Sequence, residues 1–148
     1  MLISSTCKYA IRAVVYLARH YEPDVRIGLK QIASDLAIPL PFLGKILQTL
    51  TRHKILFSTK GPHGGFTLSK HPREITFYEI VEIIDGTDVF LECPFGLEAC
   101  LTDRLKQNVC PLHSKSSPVR HQLYLLFKNQ SIGDVLEADG DSISQLNY

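Results

Sequence analysis

Apolar residues along the first fifty positions recur at steps of three and four, the spacing that gathers them on one face of an α-helix. This pattern predicts a first helix over residues 5–21, capped at its N-terminus by Ser5 or Thr6. It also predicts two shorter helices within residues 28–53, with a break between them at 37–40. Two helices joined by such a tight break form the helix-turn-helix pattern.

The second helix of this pair has one apolar side and one polar side. Its apolar positions predict a buried stripe made of Leu43, Ile46, Leu47 and Leu50. The residues on its other faces are polar or cationic: Lys45, Gln48, Thr49 and Arg52. Pro41 suits the first turn, where a missing N–H costs little. The sequence therefore predicts a helix that packs on one side and presents cationic side chains on the other.

A β-hairpin is predicted over residues 55–69. Two short apolar strands flank the turn Lys60–Gly65, which contains three glycines and one proline in six residues. A hairpin that directly follows a helix-turn-helix is typical of a wing, and Lys60 and His63 at its tip would then face DNA. An ordinary β-turn is the alternative interpretation.

The second half of the chain begins with another helix. Thr76 and Glu79 form a capping box for a helix that runs to Ile84. Residues 87–117 lose their periodicity and are predicted to form a long loop. A helical pattern resumes at 118–129, and its wide apolar arc suggests burial against a second copy of itself.

These elements predict a mostly α-helical fold with a small β-hairpin wing. We expect a winged helix-turn-helix domain over residues 1–72, followed by a cysteine-bearing sensor loop and dimerisation helices over 73–138. A short last helix is predicted from Ser131 to Leu136, and residues 139–148 form an acidic tail.

The two halves of the chain carry opposite charge. Residues 1–72 contain ten Lys and Arg against three Asp and Glu, a net charge of +7. Residues 73–148 contain six against twelve, a net charge of −6, and the two halves add to the +1 of the whole chain. A basic half joined to an acidic half is typical of a nucleic-acid-binding protein with a separate second function. The alternative is a chance dipole of solvated faces.

The location of the protein is predicted from what the sequence lacks. No apolar run approaches the roughly 20 residues that span a bilayer. The N-terminal stretch contains Lys8, Arg12 and Arg19 and lacks the apolar core of a signal peptide. We therefore expect a cytoplasmic protein that does not bind membranes.

Three cysteines and one histidine lie close together in the predicted loop, namely Cys93, Cys100, Cys110 and His113. Three thiolates and an imidazole suit an iron–sulfur cluster, and they also suit a Cys3His zinc site. A thiol–disulfide switch that can include Cys7 is a third possibility, and cysteines that merely fill apolar space are a fourth. An enzyme that uses Cys110 with His113 is disfavoured, because no oxyanion-hole motif or phosphate loop accompanies the pair. We therefore predict that the protein is not an enzyme.

Taken together, the chain resembles the IscR/NsrR group of bacterial winged-helix regulators, the Rrf-type family. The resemblance covers residues 2–138 and rests on the order and spacing of six segments, which are Tyr9–Ala10, Ile32–Ala33, Ile38–Leu43, Lys60–Phe66, Ile80–Asp85 and Ser131–Leu136. It implies a homodimer joined by a long C-terminal helix, with its recognition helices in successive major grooves of a palindromic operator. Family members repress or activate transcription, and several sense iron–sulfur status, nitric oxide or redox state through a [2Fe–2S] or [4Fe–4S] cluster.

The resemblance also implies which residues contact DNA. They lie at the start of the recognition helix and on the wing, and they are Pro39, Pro41, Phe42, Gly44, Lys45, Gln48, Lys60, Gly61, His63 and Gly64. Proline and glycine supply no side-chain hydrogen bonds, so Lys45 is the strong donor that remains on the helix. Lys60 matches a wing arginine that enters the minor groove, but a lysine reads narrow grooves less well.

The fourth cluster ligand has two candidates. Relatives with proven clusters have cysteines spaced more closely than the gaps of six and nine residues found here. The step from Cys110 to His113 matches relatives in which histidine is the fourth ligand. In other relatives the fourth ligand is a carboxylate near the start of the partner's first helix, where this chain has Lys8 with Cys7 beside it. The prediction is thus a DNA-binding repressor switched by a cluster, with His113 or a cross-dimer Cys7 as fourth ligand.

Overall fold

Seven α-helices and a two-stranded hairpin make up residues 3–91 and 111–138, which are the residues that the computed structural model describes. The elements of the first half are α1 (Ser5–Arg19), α2 (Leu29–Leu36), α3 (Leu40–Arg52), β1 (Leu56–Thr59), β2 (Gly65–Leu68) and a 3-10 turn (Pro72–Glu74). The elements of the second half are α4 (Phe77–Ile84), α5 (Asp88–Leu91), α6 (Pro111–Asn129) and α7 (Ile132–Ala138).

Helix α1 is the centre of the main core, which we call the head core. Its Ala10, Ala13 and Val14 are fully buried, and α2, α3, the hairpin and α4 contribute the other apolar side chains. The stripe predicted on α3 is confirmed, since Leu43, Ile46, Leu47 and Leu50 are all buried there. A broad apolar face on each helix is thus the reason that the elements assemble in this way.

The hairpin pairs its strands antiparallel, with Leu56 opposite Leu68 and Thr59 opposite Gly65. An isolated bridge between Ile27 and Phe66 adds a short third row on the far side of β2. Gly65 has a φ of 153°, and a side chain there would meet the Ile27 carbonyl oxygen at 2.5 Å from its Cβ. The close approach of these two backbone segments therefore requires glycine at this position.

A second, smaller apolar cluster lies outside the head core, and we call it the junction cluster. Its buried members are Cys7 of α1, Val81 of α4 and Phe90 of α5. Tyr124 and Phe127 of α6 pack against them, with ring centroids 5.9 Å and 5.5 Å from that of Phe90. The junction cluster thus joins the start of α1 to α4, α5 and α6.

The chain returns to the head after α6. Ile132 donates its backbone N–H to the Ile75 carbonyl at 2.8 Å, and its side chain is buried in the head core. Phe77 donates to the carbonyl of Gln130 at 3.2 Å, beside the bridge between Thr76 and Ser131. The C-terminal end of α6 is therefore anchored to the start of α4.

The capping of α4 agrees with the prediction, whereas both ends of α1 differ from it. The capping box of Thr76 and Glu79 is confirmed, with Glu79 donating its N–H to the Thr76 hydroxyl at 3.2 Å. The cap of α1 is Ser4, one residue before the predicted pair, because its hydroxyl accepts the Cys7 N–H at 3.0 Å. That helix also ends at Arg19, two residues early.

The predicted loop over residues 87–117 is wrong at both of its described ends. Asp88–Leu91 form the short helix α5, and α6 begins at Pro111 and not at residue 118. Pro118 lies inside α6, although a proline is usually found in the first turn of a helix. Residues 92–110 and the predicted tail at 139–148 lie outside the described residues.

Candidate nucleic-acid interface and sensor segment

The first turns of α3 present an open surface. Phe42 is 37% exposed, and Pro39, Pro41, Lys45 and Gln48 are exposed as well. Gly44 is half-buried between them. Since the apolar side of α3 is held in the head core, these predicted DNA-contacting residues lie on the side that faces solvent.

Hydrogen bonds from α1 hold the turn between α2 and α3 in place. Arg12 donates from Nη2 to the Leu36 carbonyl at 2.8 Å, and Tyr16 donates its hydroxyl to Asp35 at 2.5 Å. Partial burial and this hydrogen bond raise the pKa of Tyr16 to about 12, so it remains a donor at neutral pH. Ala37 adopts a left-handed φ of 51°, which turns the chain sharply into α3.

The side chain of Phe42 also packs against α1. The Tyr9 ring meets it edge-on with 5.6 Å between centroids, and the Arg12 guanidinium lies 5.7 Å from the Tyr9 ring centroid. Phe42 is therefore fixed in orientation while more than a third of its side chain stays exposed.

The wing tip carries the other predicted DNA contacts. Lys60, Gly61 and His63 are exposed, and Gly64 is half-buried. Gly64 donates its N–H to the Gly61 carbonyl at 3.0 Å, and a Cβ at Gly64 would lie only 2.1 Å from the Thr59 carbonyl oxygen. The tight turn at the tip therefore requires glycine, and it projects Lys60 and His63 away from the core.

Two side chains at the wing were not predicted from sequence. The Arg26 guanidinium lies 5.7 Å from the centroid of the Phe57 ring, and Phe57 is 54% exposed. Phe57 follows the buried Leu56 on β1, and because all three residues from Phe57 to Thr59 are exposed, a polar residue is expected there. An aromatic residue at that outward position is the sequence signal that could have identified Phe57.

The predicted metal ligands fall mostly beyond the described part of the chain. Cys93, Cys100 and Cys110 lie outside the described residues, and of His113 only the backbone, in the first turn of α6, is described. The described residues contain no group of three or more His, Cys, Asp or Glu that could hold a metal ion. Any such site would therefore include at least one side chain outside the described ones.

The alternative ligand Cys7 is buried in the junction cluster with none of its surface exposed. Burial, with a smaller contribution from the charge of Asp85, raises the pKa of its thiol to about 12. Its neighbour Lys8 is exposed and lines a groove of about 370 Å³ along α1, together with Tyr9 and Arg12. The residue that faces this groove is thus the lysine and not the cysteine.

Helix α6 carries an apolar stripe on its outer side. Leu112, Val119 and Leu126 are 46%, 69% and 56% exposed and follow one another at intervals of seven residues. Such an interval returns to the same side of a helix after two turns. The three side chains therefore form a row along one side of α6, which we call the apolar seam and which the described part of the chain leaves uncovered.

Comparison with known proteins identifies the family. Residues 3–138 match the family described as Rrf2, iron-dependent transcriptional regulator. The chain belongs to the Rrf2 family. A relative from Aquifex aeolicus, whose name assigns it as an HTH-type transcriptional regulator, is 32% identical over 139 residues, which is 94% of each chain. The regulator IscR of Photorhabdus laumondii is 28% identical over 100 residues, covering 68% of this chain and 60% of its own.

Solved structures of the same kind share the fold. IscR from T. potens superposes with a TM-score of 0.74 at 20% identity and covers 99% of this chain and 92% of its own. CymR, the global cysteine regulator of B. subtilis, gives a TM-score of 0.71 at 19% identity, covering 92% and 96%. The predicted winged-helix fold and the resemblance to Rrf-type regulators are thereby confirmed.

Membership of the Rrf2 family assigns the chain to helix-turn-helix transcriptional regulators and not to enzymes. Within residues 3–91 and 111–138, no helix combines the length and apolar character that a membrane span requires.

Proposed function

We propose that the protein is a homodimeric repressor that binds a palindromic DNA operator through α3 and the wing. The observation that carries this proposal is the exposed first half of α3, followed directly in the chain by an exposed cationic wing tip. Helix α3 is 13 residues long and is buried along one side only, so the other side is free to enter a major groove. The net charge of +7 over residues 1–72 supports attraction to phosphate.

Dimerisation is proposed through the apolar seam of α6. Leu112, Val119 and Leu126 repeat at the seven-residue interval that two supercoiled helices use at their contact. A second copy presents the same seam, which makes the contact self-complementary about a two-fold axis. The two heads related by that axis would bind two half-sites of the operator. The centres of these half-sites would lie one helical turn of DNA apart, which is about 34 Å.

Two lysines of each head have different proposed roles, one in recognising bases and the other in positioning the protein on the duplex. Lys45 is the exposed cation on the reading side of α3, so it is suited to a guanine edge in the major groove. Lys60 at the wing tip is suited to phosphate and to the minor groove. Lys45→Ala is therefore expected to relax base preference, while Lys60→Ala weakens binding to all duplexes by a similar factor.

The switch is proposed to be an iron–sulfur cluster held by Cys93, Cys100, Cys110 and His113. The donor set of three thiolates and one imidazole fits such a cluster, and the family descriptor is that of iron-dependent regulators. Cys7 fits the role of fourth ligand poorly, because its side chain is fully buried among Val81 and Phe90 in the junction cluster. A bound cluster would supply a group whose gain, loss or nitrosylation changes the ligand segment.

The position of the ligand segment in the fold supports this switch. Residues 92–110 connect α5 to α6, and both of these helices pack in the junction cluster with Cys7 of α1. A change in residues 92–110 would alter the packing of Phe90 on α5. It would thereby shift α1, whose Cys7 packs in the same cluster. Since α1 holds the turn before α3 through Arg12 and Tyr16, such a change would reach the DNA-reading surface.

The proposal is tested by anaerobic purification, followed by a visible absorption spectrum, iron and sulfide analysis, and DNA binding in the cluster-loaded and cluster-free states. We expect a coloured protein with iron and sulfide, duplex binding that weakens steeply with salt, and an affinity that differs between the states. One zinc per chain without sulfide would replace the cluster with a structural zinc site. Reversible thiol oxidation without any metal would replace it with a disulfide switch. Absence of duplex binding in every state would refute the DNA-binding proposal itself.

A further inference from the structure

The wing has a cation on its outer face that the helix-turn-helix pattern does not account for. Ile27 pairs with Phe66, and Phe57 pairs with Thr67 on the other side of β2. In an antiparallel arrangement this register puts Arg26 opposite Thr67, so that Arg26, Thr67 and Phe57 form one row across the sheet. Thr67 is only 8% exposed, as expected for a residue covered from both sides.

This row lies on the side of the hairpin that faces away from the head core. Leu56 and Leu68, one residue along each strand, point into the core, and side chains alternate between the two faces of a sheet. Phe57 is consequently 54% exposed and lies outside the head core. Packing of the head therefore does not explain the aromatic ring.

What the ring does is hold the Arg26 guanidinium. The guanidinium carbon lies 5.7 Å from the ring centroid, within the range of a cation–π contact. Arg26 also donates from Nη1 to the Val25 carbonyl at 3.1 Å. Neither ion pair within the described residues involves Arg26, since Lys70 pairs with Glu79 and Arg73 pairs with Glu137. Arg26 is thus a half-buried cation whose position is fixed by an aromatic face and a carbonyl and not by a carboxylate.

A fixed guanidinium of this kind is suited to phosphate. A guanidinium carries five N–H donors, so one bond to a carbonyl leaves others for phosphate oxygens. Stacking on a ring restricts the side chain before the ligand arrives, and this reduces the entropy lost on binding. The charge of Arg26 is therefore held in place, and neither of the two ion pairs among the described residues neutralises it.

The location of the row identifies which phosphate it meets. Phe57 precedes Lys60 by three residues on an extended strand, a separation of about 10 Å. If the tip enters a minor groove about 6 Å wide, a residue about 10 Å behind it lies over the adjacent backbone. The outer face of the wing would then approach the phosphates that border the groove and would not reach the bases.

We infer that Arg26, positioned by Phe57, is a DNA phosphate contact on the outer face of the wing. The inference rests on the proposed DNA binding and extends it to a contact that carries no base information. Its role is to fix the register of the wing on the duplex, because phosphate contacts position a protein and base contacts specify the sequence.

The test is the salt dependence of binding to a 30-base-pair duplex of arbitrary sequence, which does not require knowledge of the operator. A single lost phosphate contact lowers the slope of log affinity against log salt by about 0.9. Because each subunit of the proposed dimer supplies one Arg26, Arg26→Gln should lower the slope by about 1.8 (2 × 0.9) and weaken binding roughly tenfold for each lost contact at about 0.1 M salt. Arg26→Lys keeps the charge and should retain most of the slope.

Two further variants separate the contact from general effects of charge and folding. Arg73→Gln removes an exposed arginine that pairs with Glu137 on α7, and it should leave the slope unchanged. Phe57→Leu keeps an apolar side chain and should weaken binding by a smaller factor than Arg26→Gln, because the cation remains but is no longer held.

The outcomes distinguish this inference from the proposed function. If the wild-type protein binds no duplex, the proposed function fails. If the wild type binds with a steep slope and Arg26→Gln behaves like Arg73→Gln, DNA binding stands and the contact at Arg26 is refuted. Equal slopes for Arg26→Gln and Arg26→Lys would refute it as well, since charge would then not be what the site provides.

Discussion

The head core and the junction cluster differ in size and in the residues that fill them. Among the described residues, nineteen buried apolar side chains form the head core, and three form the junction cluster. The head core consists of aliphatic residues from every element of the winged domain. The junction cluster is bordered by the aromatic rings of Tyr78, Tyr124 and Phe127, which are half-buried.

This difference indicates how a regulator of this fold can rearrange its junction cluster while its head stays folded. Loss of the head core would destroy the surface that α3 presents, because the buried stripe of that helix is part of the core. The junction cluster can rearrange at a lower cost, since few buried groups depend on it. It is also the point at which α5 and α6, the flanks of the cysteine segment, contact α1. The winged head is thus the rigid part of the fold, and its connection to the proposed sensor segment is the adaptable part.

The largest effect is expected from Leu47→Ala in the head core. Leu47 is fully buried on α3, and its truncation leaves a cavity in the tightly packed domain. The free energy of unfolding should fall by about 2–5 kcal/mol in urea denaturation at a fixed protein concentration. A loss below about 1 kcal/mol would mean that the head can collapse around the cavity, and the contrast between the two clusters would then fail.

Phe90→Ala in the junction cluster is expected to cost about 3 kcal/mol or less, the low end of the range for a buried Phe→Ala change, because its half-exposed neighbours can close over part of the space. The reactivity of Cys7 reports on the packing of the junction cluster. It is measured in a variant in which Cys93, Cys100 and Cys110 are replaced by serine, so that Cys7 is the one thiol left of the four in the sequence. Its burial and its pKa of about 12 protect it from thiol reagents.

In that background, Phe90→Ala should raise the rate at which Cys7 reacts with a disulfide reagent, whereas DNA binding to a nonspecific duplex should persist. The control is Leu91→Ala, which changes an adjacent side chain that is 63% exposed. Equal reaction rates in the two variants would show that Phe90 does not close the junction cluster.

Much of the head could be predicted from sequence, because its signals are local. The spacing of Leu43, Ile46, Leu47 and Leu50 fixes the buried side of α3, and the exposed residues of α3 follow from it. Thr76 and Glu79 lie within one turn of each other, so the capping box is visible in the sequence alone. The glycines of the wing tip are likewise required by the backbone of the turn itself.

The junction cluster could not be predicted in the same way, because its members are distant in sequence. The sequence leaves Cys7 open as a possible ligand or a buried apolar thiol, and nothing near it in the chain indicates that Val81 and Phe90 bury it. The start of α6 was missed because Ser114–Ser117 are polar and Pro118 resembles a helix start. Arg26 and Phe57 are 31 residues apart and meet only through the strand register.

A smaller effect is expected from Asp85→Asn at the edge of the junction cluster. The Asp85 carboxylate accepts the Ser4 N–H at 2.7 Å and the Ser4 hydroxyl at 2.5 Å, which ties the N-terminal cap of α1 to the end of α4. Asparagine keeps one acceptor oxygen and loses the charge that favours a helix N-terminus, so the cost should be about 1 kcal/mol in urea denaturation. Asp88→Asn, an exposed carboxylate three residues later, is the matched control. If both variants lose the same stability, the tie between Ser4 and Asp85 does not stabilise the junction.

The smallest effect is expected from Glu137→Gln, which breaks the ion pair between α7 and Arg73. Both side chains are more than half exposed, and pairs of this kind contribute little because water and salt screen them. The attachment of α7 should instead depend on the buried Ile132 and on the close approach of Gly133 to the Arg73 backbone, where a Cβ would lie 2.8 Å from the Arg73 nitrogen. The urea midpoint of Glu137→Gln should therefore match that of the wild type at low and at high salt. A fall as large as that of Asp85→Asn would show that charge, and not the packing of Ile132 and Gly133, holds α7 to the head.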